Sequence, residues 1–276
     1  MTSEAVNGTT GHSFDVLVLA AGRGADDPMA GVFEIPHKCL VPVLGQPMIL
    51  RVLRALRESR STGRVVVSTD QPDALNAAPG VGEFLASNGI TTIESRDRAG
   101  SSVTDALAAG VLRYPVLVTT ADHALLTAQI VDDFCRRSLE VGGDITAGLA
   151  TETLLSAAYP DTRRTYLEFA GGRYTGCNLF GFLTPNAARA AEFWARLDRE
   201  RKRPWRLVRA FGAMPLLLYA LRRLTLRKAF EIGSRRLGLS ATPILLPFAE
   251  AAIDVDKPAD LALAERILAS REANAG

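Results

Sequence analysis

Residues 14–24 read Phe14-Asp15-Val16-Leu17-Val18-Leu19-Ala20-Ala21-Gly22-Arg23-Gly24. The apolar residues of this stretch follow one another in near succession, and the run stops at a glycine. A short continuous apolar run closed by a turn residue points to a strand buried on both faces, as at the centre of a parallel sheet.

The neighbouring segments fit that reading. Gly22 to Pro36 is a loop rich in Gly, Asp and Pro. Pro47 to Ser59 carries Met48, Ile49, Val52, Leu53 and Leu56 at helical spacing. Arg64 to Ser68 reads as a second strand, Val81 to Asn88 as a short helix and Ile90 to Glu94 as a third strand. Ser102 to Leu112 is helical, and Pro115 to Thr120 is a fourth buried strand. Strands alternating with helices at short spacing imply βαβ units and a parallel sheet. Ligands of such sheets bind beyond the carboxyl ends of the strands, which singles out the loops after Ala21 and after Thr120.

From about residue 144 the pattern changes. Asp144 to Thr151, Arg164 to Phe169 and Gly176 to Phe182 read as strands, with a hairpin turn at Ala170-Gly171-Gly172. Asn186 to Arg201 is a helix capped near Thr184 and Pro185. A basic segment, 201–240, follows, largely helical and broken at Pro204 and Pro215. Ile244 to Asp254 reads as a late strand and Pro258 to Ser270 as a closing helix. The fold class expected is therefore α/β: a Rossmann-like, mostly parallel mixed sheet flanked by helices, with a basic helical insertion before the last strand. Residues 1–13 read as a disordered leader. Residues 14–276 read as one domain: a nucleotide-binding half (14–143), acceptor-side strands (144–185), the insertion (186–243) and a closing strand and helix (244–276).

Composition narrows the class. The chain has 276 residues, 47% of them hydrophobic, enough for a full core. The net charge is only +2, but residues 201–236 hold eleven Lys or Arg against Glu231 alone. Of the chain's 32 basic and 30 acidic residues, 21 and 29 therefore lie elsewhere, so a mildly acidic body carries one strongly basic segment. Cys39, Cys135 and Cys177 are odd in number and widely spaced, which argues against a disulfide framework or a zinc site. The N-terminal residues have no apolar signal core, and the longest charge-free apolar stretch, Ala210 to Leu221, is too short to cross a bilayer. A cytoplasmic location is the expectation.

Four constellations carry chemistry. The first is Leu19-Ala20-Ala21-Gly22-Arg23-Gly24 with Lys38-Cys39-Leu40-Val41-Pro42-Val43-Leu44-Gly45-Gln46-Pro47-Met48. A glycine-bearing turn after a buried strand lets backbone N–H groups approach phosphates, and Arg23 and Lys38 can neutralise them. The second is Gly100-Ser101-Ser102-Val103-Thr104-Asp105-Ala106-Leu107, where Ser101 or Ser102 reads as a helix N-cap. The third, Thr119-Thr120-Ala121-Asp122-His123, puts a carboxylate at the carboxyl edge of the sheet, as a helix cap or as a Mg²⁺ ligand. His123 is a neighbour there, because Mg²⁺ prefers oxygen. The fourth is Asp254-Val255-Asp256-Lys257-Pro258-Ala259-Asp260-Leu261, whose D-x-D spacing at a strand end places both carboxylates on one face. Asp260 caps or solubilises the final helix.

The first and fourth constellations together resemble the opening and closing signatures of the MobA-like branch of nucleotidyltransferases, which act on sugar phosphates, methylerythritol phosphate and the molybdenum cofactor. The resemblance covers roughly residues 15–150 and 244–276. It implies that Leu19 to Gly24, Lys38, Ser101, Ser102 and Asp122 bind a nucleotide, that Arg23 and Lys38 serve catalysis at the triphosphate, and that Asp122 and Asp256, with Asp254 in reserve, hold Mg²⁺. It also implies that Thr165 and Asn178, polar residues inside apolar strand patterns, lie on the acceptor side. Edge-strand residues facing water would look the same. The sequence departs from the family where an Arg-Met pair is usual: here stands Ala25-Asp26-Asp27-Pro28-Met29.

The reaction so implied is attack by a phosphorylated small-molecule acceptor on the α-phosphorus of an NTP, with release of pyrophosphate. An acceptor phosphate is already anionic, so no strong base is needed, and the chain's three histidines form no Ser-His-Asp constellation. LAAG and the Ser102 segment lean toward CTP. The rivals are a molybdenum-cofactor guanylyl- or cytidylyltransferase, a GT-A-type glycosyltransferase, and a non-catalytic regulator at a membrane surface. Residues 201–236 have two readings: a structural insertion with one solvated face, or a basic amphipathic surface for anionic lipid at the inner face of the membrane. Nucleic acid is not expected as a partner, because the body is acidic and no such motif occurs.

Overall fold

The computed structural model describes residues 13–22, 28–96, 98–162, 164–200 and 212–275. The expected leader apart from Ser13, Arg23 and Gly24 of the expected phosphate-binding turn, Ala25 to Asp27, Arg163, and residues 201–211 of the basic segment with Pro204 lie outside the described residues.

The strands in chain order are β1 (Phe14–Ala20), β2 (Pro42–Val43), β3 (Gln46–Pro47), β4 (Thr62–Thr69), β5 (Thr91–Glu94), β6 (Val116–Thr120), β7 (Ile145–Thr151), β8 (Leu167–Phe169), β9 (Gly172–Phe182) and β10 (Ala241–Leu245). The main sheet has eight strands in the order β10-β7-β9-β6-β1-β4-β5, with β8 paired to β9. The pairs β1–β4, β1–β6, β4–β5 and β7–β10 are parallel; β9 runs antiparallel to β6, β7 and β8. This is the expected α/β, mostly parallel mixed sheet flanked by helices, with helices Ala213–Ala220 and Leu226–Leu237 inserted before β10.

β1 shows why the opening run had to be apolar throughout. Phe14, Val16, Val18 and Ala20 face one core cluster, which includes Ile49, Leu53 and Phe134 from helices Met48–Glu58 and Ala128–Val141. Leu17 and Leu19 face another, which includes Val103 and Ala191 from helices Ala99–Ala108 and Ala188–Glu200. With both faces covered, neither register of the strand offers water a side. Chain direction then matters. From β1 the path moves through β4 to β5, and next returns to the other side of β1 as β6. The strand order therefore reverses between β1 and β6, which opens a crevice at their carboxyl ends.

Several expectations are corrected. Helix Ala128–Val141 and the short helices Pro28–Phe33 and Pro72–Ala77 were not read from the sequence. Helix Ala99–Ala108 begins three residues before Ser102, with Arg98 at its N-cap, so Ser101 and Ser102 lie inside the helix and do not cap it. Pro215 does not break its helix; it sits in the first turn of Ala213–Ala220, where a missing N–H costs nothing. The late strand ends at Leu245; Ala249–Ala252 is a 3₁₀ turn, and Asp254 and Asp256 lie in irregular chain after it. Strand alternation therefore does not govern those two aspartates.

Candidate functional site

Lys38 opens a one-turn 3₁₀ helix, Lys38–Leu40. His37 caps it: its Nδ1 accepts the Cys39 N–H at 3.2 Å. Cys39 and Leu40 are buried, which pins the turn, and β2 and β3 then fold back over a two-residue bend at Leu44-Gly45. The Lys38 side chain thus points from a fixed base across the carboxyl ends of β1 and β6. Its Nζ lies 2.8 Å from Asp122 Oδ2 and 2.5 Å from Asp256 Oδ1. Burial opposes the ammonium charge, but the Asp122 carboxylate and its hydrogen bond, with Asp256 alongside, outweigh it and raise the lysine pKa above its usual range.

Backbone hydrogen bonds bring these two distant carboxylates together. The Ala121 N–H donates to the Leu19 carbonyl at 2.9 Å, and the Val255 N–H donates to the Asp122 carbonyl at 3.0 Å. The second bond lays residues 253–256 against the end of β6. Beneath it a core cluster joins Met29, Val41, Val43 and Met48 to Ile253, Val255 and Leu261, clamping the lysine turn to the closing helix Pro258–Ala275. Asp260 has a part in this clamp, contrary to the view of it as a solubilising residue. It is buried, its Oδ2 accepts the Asp256 N–H at 3.3 Å, and Arg164 lies 3.7 Å from its other oxygen.

Asp254 and Asp256 diverge. Asp256 faces Lys38, whereas Asp254 accepts from Arg164 Nη1 and, at 3.2 Å, from Asn178 Nδ2. Burial dominates at Asp254 and raises its carboxyl pKa in spite of the arginine. Asn178 reaches it because β9 bulges there: the pairing with β7 steps from Ala147–Phe180 to Leu149–Gly176, and Asn178 takes φ +50° between buried Cys177 and Leu179. A bulge that redirects one side chain is a frequent device beside sites. His123, next to Asp122, is buried, and burial depresses its pKa to about 4.

Around Lys38 and Asp122 lies a cleft of about 480 Å³ lined by Leu19 to Gly22, Thr120 and Ala121 among others. Its far wall is Phe180 and Trp194, with ring centroids 5.3 Å apart. Trp194 arrives there because helices Ala99–Ala108 and Ala188–Glu200 cross closely at Gly100. A Cβ at Gly100 would stand 2.4 Å from the Ala195 backbone nitrogen. Ser102 lines the cleft, but its hydroxyl serves the preceding loop, accepting the Arg96 N–H at 2.9 Å and donating to the Arg98 carbonyl at 3.3 Å. Ser101 faces a separate depression with Asp105 and Glu192, and Thr165 is exposed in a loop before β8. These two are not among the residues lining the cleft.

Asp70 was missed in the sequence, although the rule that selected Asp122 selects it too: it directly follows β4. Its Oδ1 accepts from the Gly22 N–H at 3.2 Å and from His37 Nε2 at 3.0 Å, since His37 Nδ1 is already an acceptor. A Cβ on Gly22 would meet His37 Nε2 at 2.8 Å. Gly22 is thus a glycine for close approach, directly before Arg23 in the sequence.

The donor set suits a hard cation only in part. Asp122 Oδ1 is buried without a hydrogen-bond partner, while Asp122 Oδ2 and Asp256 Oδ1 converge on one ammonium. Two carboxylates completed by substrate phosphates form a common Mg²⁺ environment. Asp254 turns away from that pair, its oxygens accepting from Arg164 and Asn178. Among the described residues no group of three or more His, Cys, Asp or Glu side chains converges as a cation site.

The sequence profile of the MobA-like NTP transferase domain matches residues 16–176. Among solved structures the chain is similar to a hypothetical transferase from Thermus thermophilus, at 28% identity over 90% of this chain and 99% of that one, with a TM-score of 0.73. It shares its fold with a CMP:2-keto-3-deoxy-manno-octonic acid synthetase complexed with CTP, at 12% identity over 94% and 100% of the two chains and a TM-score of 0.56. No curated protein matches the chain.

Proposed function

The chain belongs to the MobA-like NTP transferase family, and from that premise we propose that it transfers an NMP group from an NTP, CTP before the others, to a phosphorylated small molecule. The observation that carries this reading is the Lys38 ammonium held between Asp122 and Asp256 at the reversal of strand order.

An oxygen of the acceptor phosphate forms a bond to the α-phosphorus. The bond from that phosphorus to the α–β bridging oxygen breaks, and pyrophosphate leaves with the electron pair. Lys38 neutralises the departing charge, exchanging its carboxylate partners for phosphate oxygens. Arg23 shares that work, next in the sequence to Gly22, which Asp70 holds together with His37. Asp122 and Asp256 would hold Mg²⁺, which when bound supplies charge neutralisation at the phosphates. Asn178, set beside Asp254 and Arg164, faces the acceptor. Trp194 and Phe180 close the apolar side of the cleft and keep water from competing with the acceptor.

Supporting CTP are the LAAG turn and the place of Ser102 among the residues lining the cleft. The test is pyrophosphate release from each of the four NTPs with a panel of sugar phosphates and phospho-alcohols, with and without Mg²⁺. Release with CTP that depends on one acceptor and on Mg²⁺ is expected. Pyrophosphate release with no NTP under any condition would sink the reading. Sugar transfer from a nucleotide sugar would move the chain to the glycosyltransferase rival.

A further inference from the structure

Helix Ala213–Ala220 reads AMPLLLYA and has no buried side chain. Its exposed residues fall on one stripe. Met214, Leu217 and Leu221, three and four residues apart, are 64%, 53% and 57% exposed, and Ala213 and Ala220 flank them. The opposite side is fastened down. Tyr219 stacks edge-on against Phe169 at 5.5 Å, and its hydroxyl accepts the Glu168 N–H at 3.3 Å. The Ala170 N–H donates to the Leu224 carbonyl at 2.8 Å, and Arg222 pairs with Glu168 at 2.8 Å. The outward apolar stripe is therefore a fixed feature of the β8–β9 hairpin side.

Its surroundings are cationic. Residues 212–240 carry Arg222, Arg223, Arg227, Lys228, Arg235 and Arg236, with Glu231 the only acid. Arg222, Arg223, Arg227 and Lys228 are all exposed, the first two directly after the stripe. No helix among the described residues is long and apolar enough to cross a membrane. An apolar stripe bordered by arginines fits a surface that is apolar beneath and anionic above. A second copy of the chain fits poorly, because a two-fold contact would set like charges against each other.

We propose that this face docks on an anionic lipid bilayer, with Met214, Leu217 and Leu221 entering the interface and the flanking arginines meeting the headgroups. The inference does not depend on the reaction assigned to the cleft. Docking here would set the β8–β9 hairpin, which holds the helix through Glu168, Phe169 and Ala170, next to the membrane-facing element.

The test is sedimentation of the full-length protein with phosphatidylcholine vesicles containing none or half phosphatidylglycerol, at low and high salt. The wild type is expected to pellet with the anionic vesicles at low salt and to stay in the supernatant with phosphatidylcholine alone. Met214→Asp with Leu217→Asp, both exposed and so harmless to folding, should weaken partition by about tenfold or more. Val141→Asp, an exposed apolar position on another helix, should partition as the wild type. The proposal is overturned if the wild type stays in solution with the anionic vesicles, if it pellets equally with both lipids, or if the double variant pellets unchanged. It is likewise overturned if the double variant only dissociates a dimer seen by sedimentation velocity and lipid has no effect.

Discussion

Lys38 and Arg227 carry the same charge into opposite surroundings. Lys38 is 14% exposed and lies between two carboxylates from distant parts of the chain, one after β6 and one before the last helix. Arg227 is 91% exposed and pairs with Glu231 one turn along its own helix. In the cleft each charge is positioned by backbone bonds and buried packing, so its removal should be felt by whatever binds there. On the insertion the charges are numerous, exchangeable and wet, so only their sum matters. A count of basic residues draws the eye to the second region; the lone lysine of the first has the more specific surroundings.

That contrast can be broken at several points. The largest effect is expected from Asp122→Asn, which removes one of the two carboxylates at Lys38. Turnover in the pyrophosphate assay should fall by about a thousandfold, near 4 kcal/mol, with an unchanged circular dichroism spectrum. Near-normal turnover in both Asp122→Asn and Asp256→Asn would remove the metal assignment. Lys38→Ala comes next: kcat should drop about a hundredfold while KM for the nucleotide changes little, because the ammonium acts on charge that develops as pyrophosphate leaves. A change confined to KM would make Lys38 a ground-state contact.

Asp254→Ala sharpens the distinction within the D-x-D pair. It removes the carboxylate nearest the buried Arg164 guanidinium, leaving it the Asp254 carbonyl and the more distant Asp260, and should lower unfolding stability by about 2–3 kcal/mol in urea titration, an effect on the scaffold rather than on metal binding. If the variant is as stable as the wild type and instead loses Mg²⁺ dependence, Asp254 is a ligand after all.

Asp144 gives a smaller effect, outside both regions. It accepts from Thr184, from Asn186 at 3.0 Å and from the Ser240 N–H at 2.8 Å, tying the starts of β7 and β10 to the end of β9. Asp144→Ala should cost about 1–2 kcal/mol at neutral pH. The Thr184 hydrogen bond, more than any other influence, holds the folded carboxyl below its ordinary value. Its stabilisation is therefore full above the unfolded aspartate value of about 4 and is lost as pH falls through the folded value. The gap in Tm between wild type and variant should close in acid. Arg227→Ala, the smallest, should leave Tm unchanged by differential scanning fluorimetry; a clear drop would mean the insertion's charges are structural.

Much of this architecture was legible in the chain. Phe14–Ala20 announced a doubly buried strand because burial on both faces removes any polar alternation, and Asp122 followed from the end of the fourth such strand. Helix Ala128–Val141 was not read, although it buries Ile130, Val131, Phe134 and Cys135. Asp70 escaped because a single aspartate after a strand matches no motif. Thr165 and Ser101 had the right residue type, but the short β8 leaves Thr165 in an exposed loop and the early start of helix Ala99–Ala108 turns Ser101 toward a different surface.

The sequence by itself determined the alternation of elements, the sheet class, the family signature and the carboxyl edge where a ligand belongs, since all of these follow from local periodicity and short spacings. Tertiary structure decided which of the two neighbouring aspartates meets Lys38. Asp254 and Asp256 are equivalent in a strand pattern, and they separate only because the chain there is irregular and held to Asp122 through the Val255 N–H, with Arg164 drawing Asp254 aside. Contacts between residues more than a hundred positions apart depend on how the layers pack, and no local pattern encodes them.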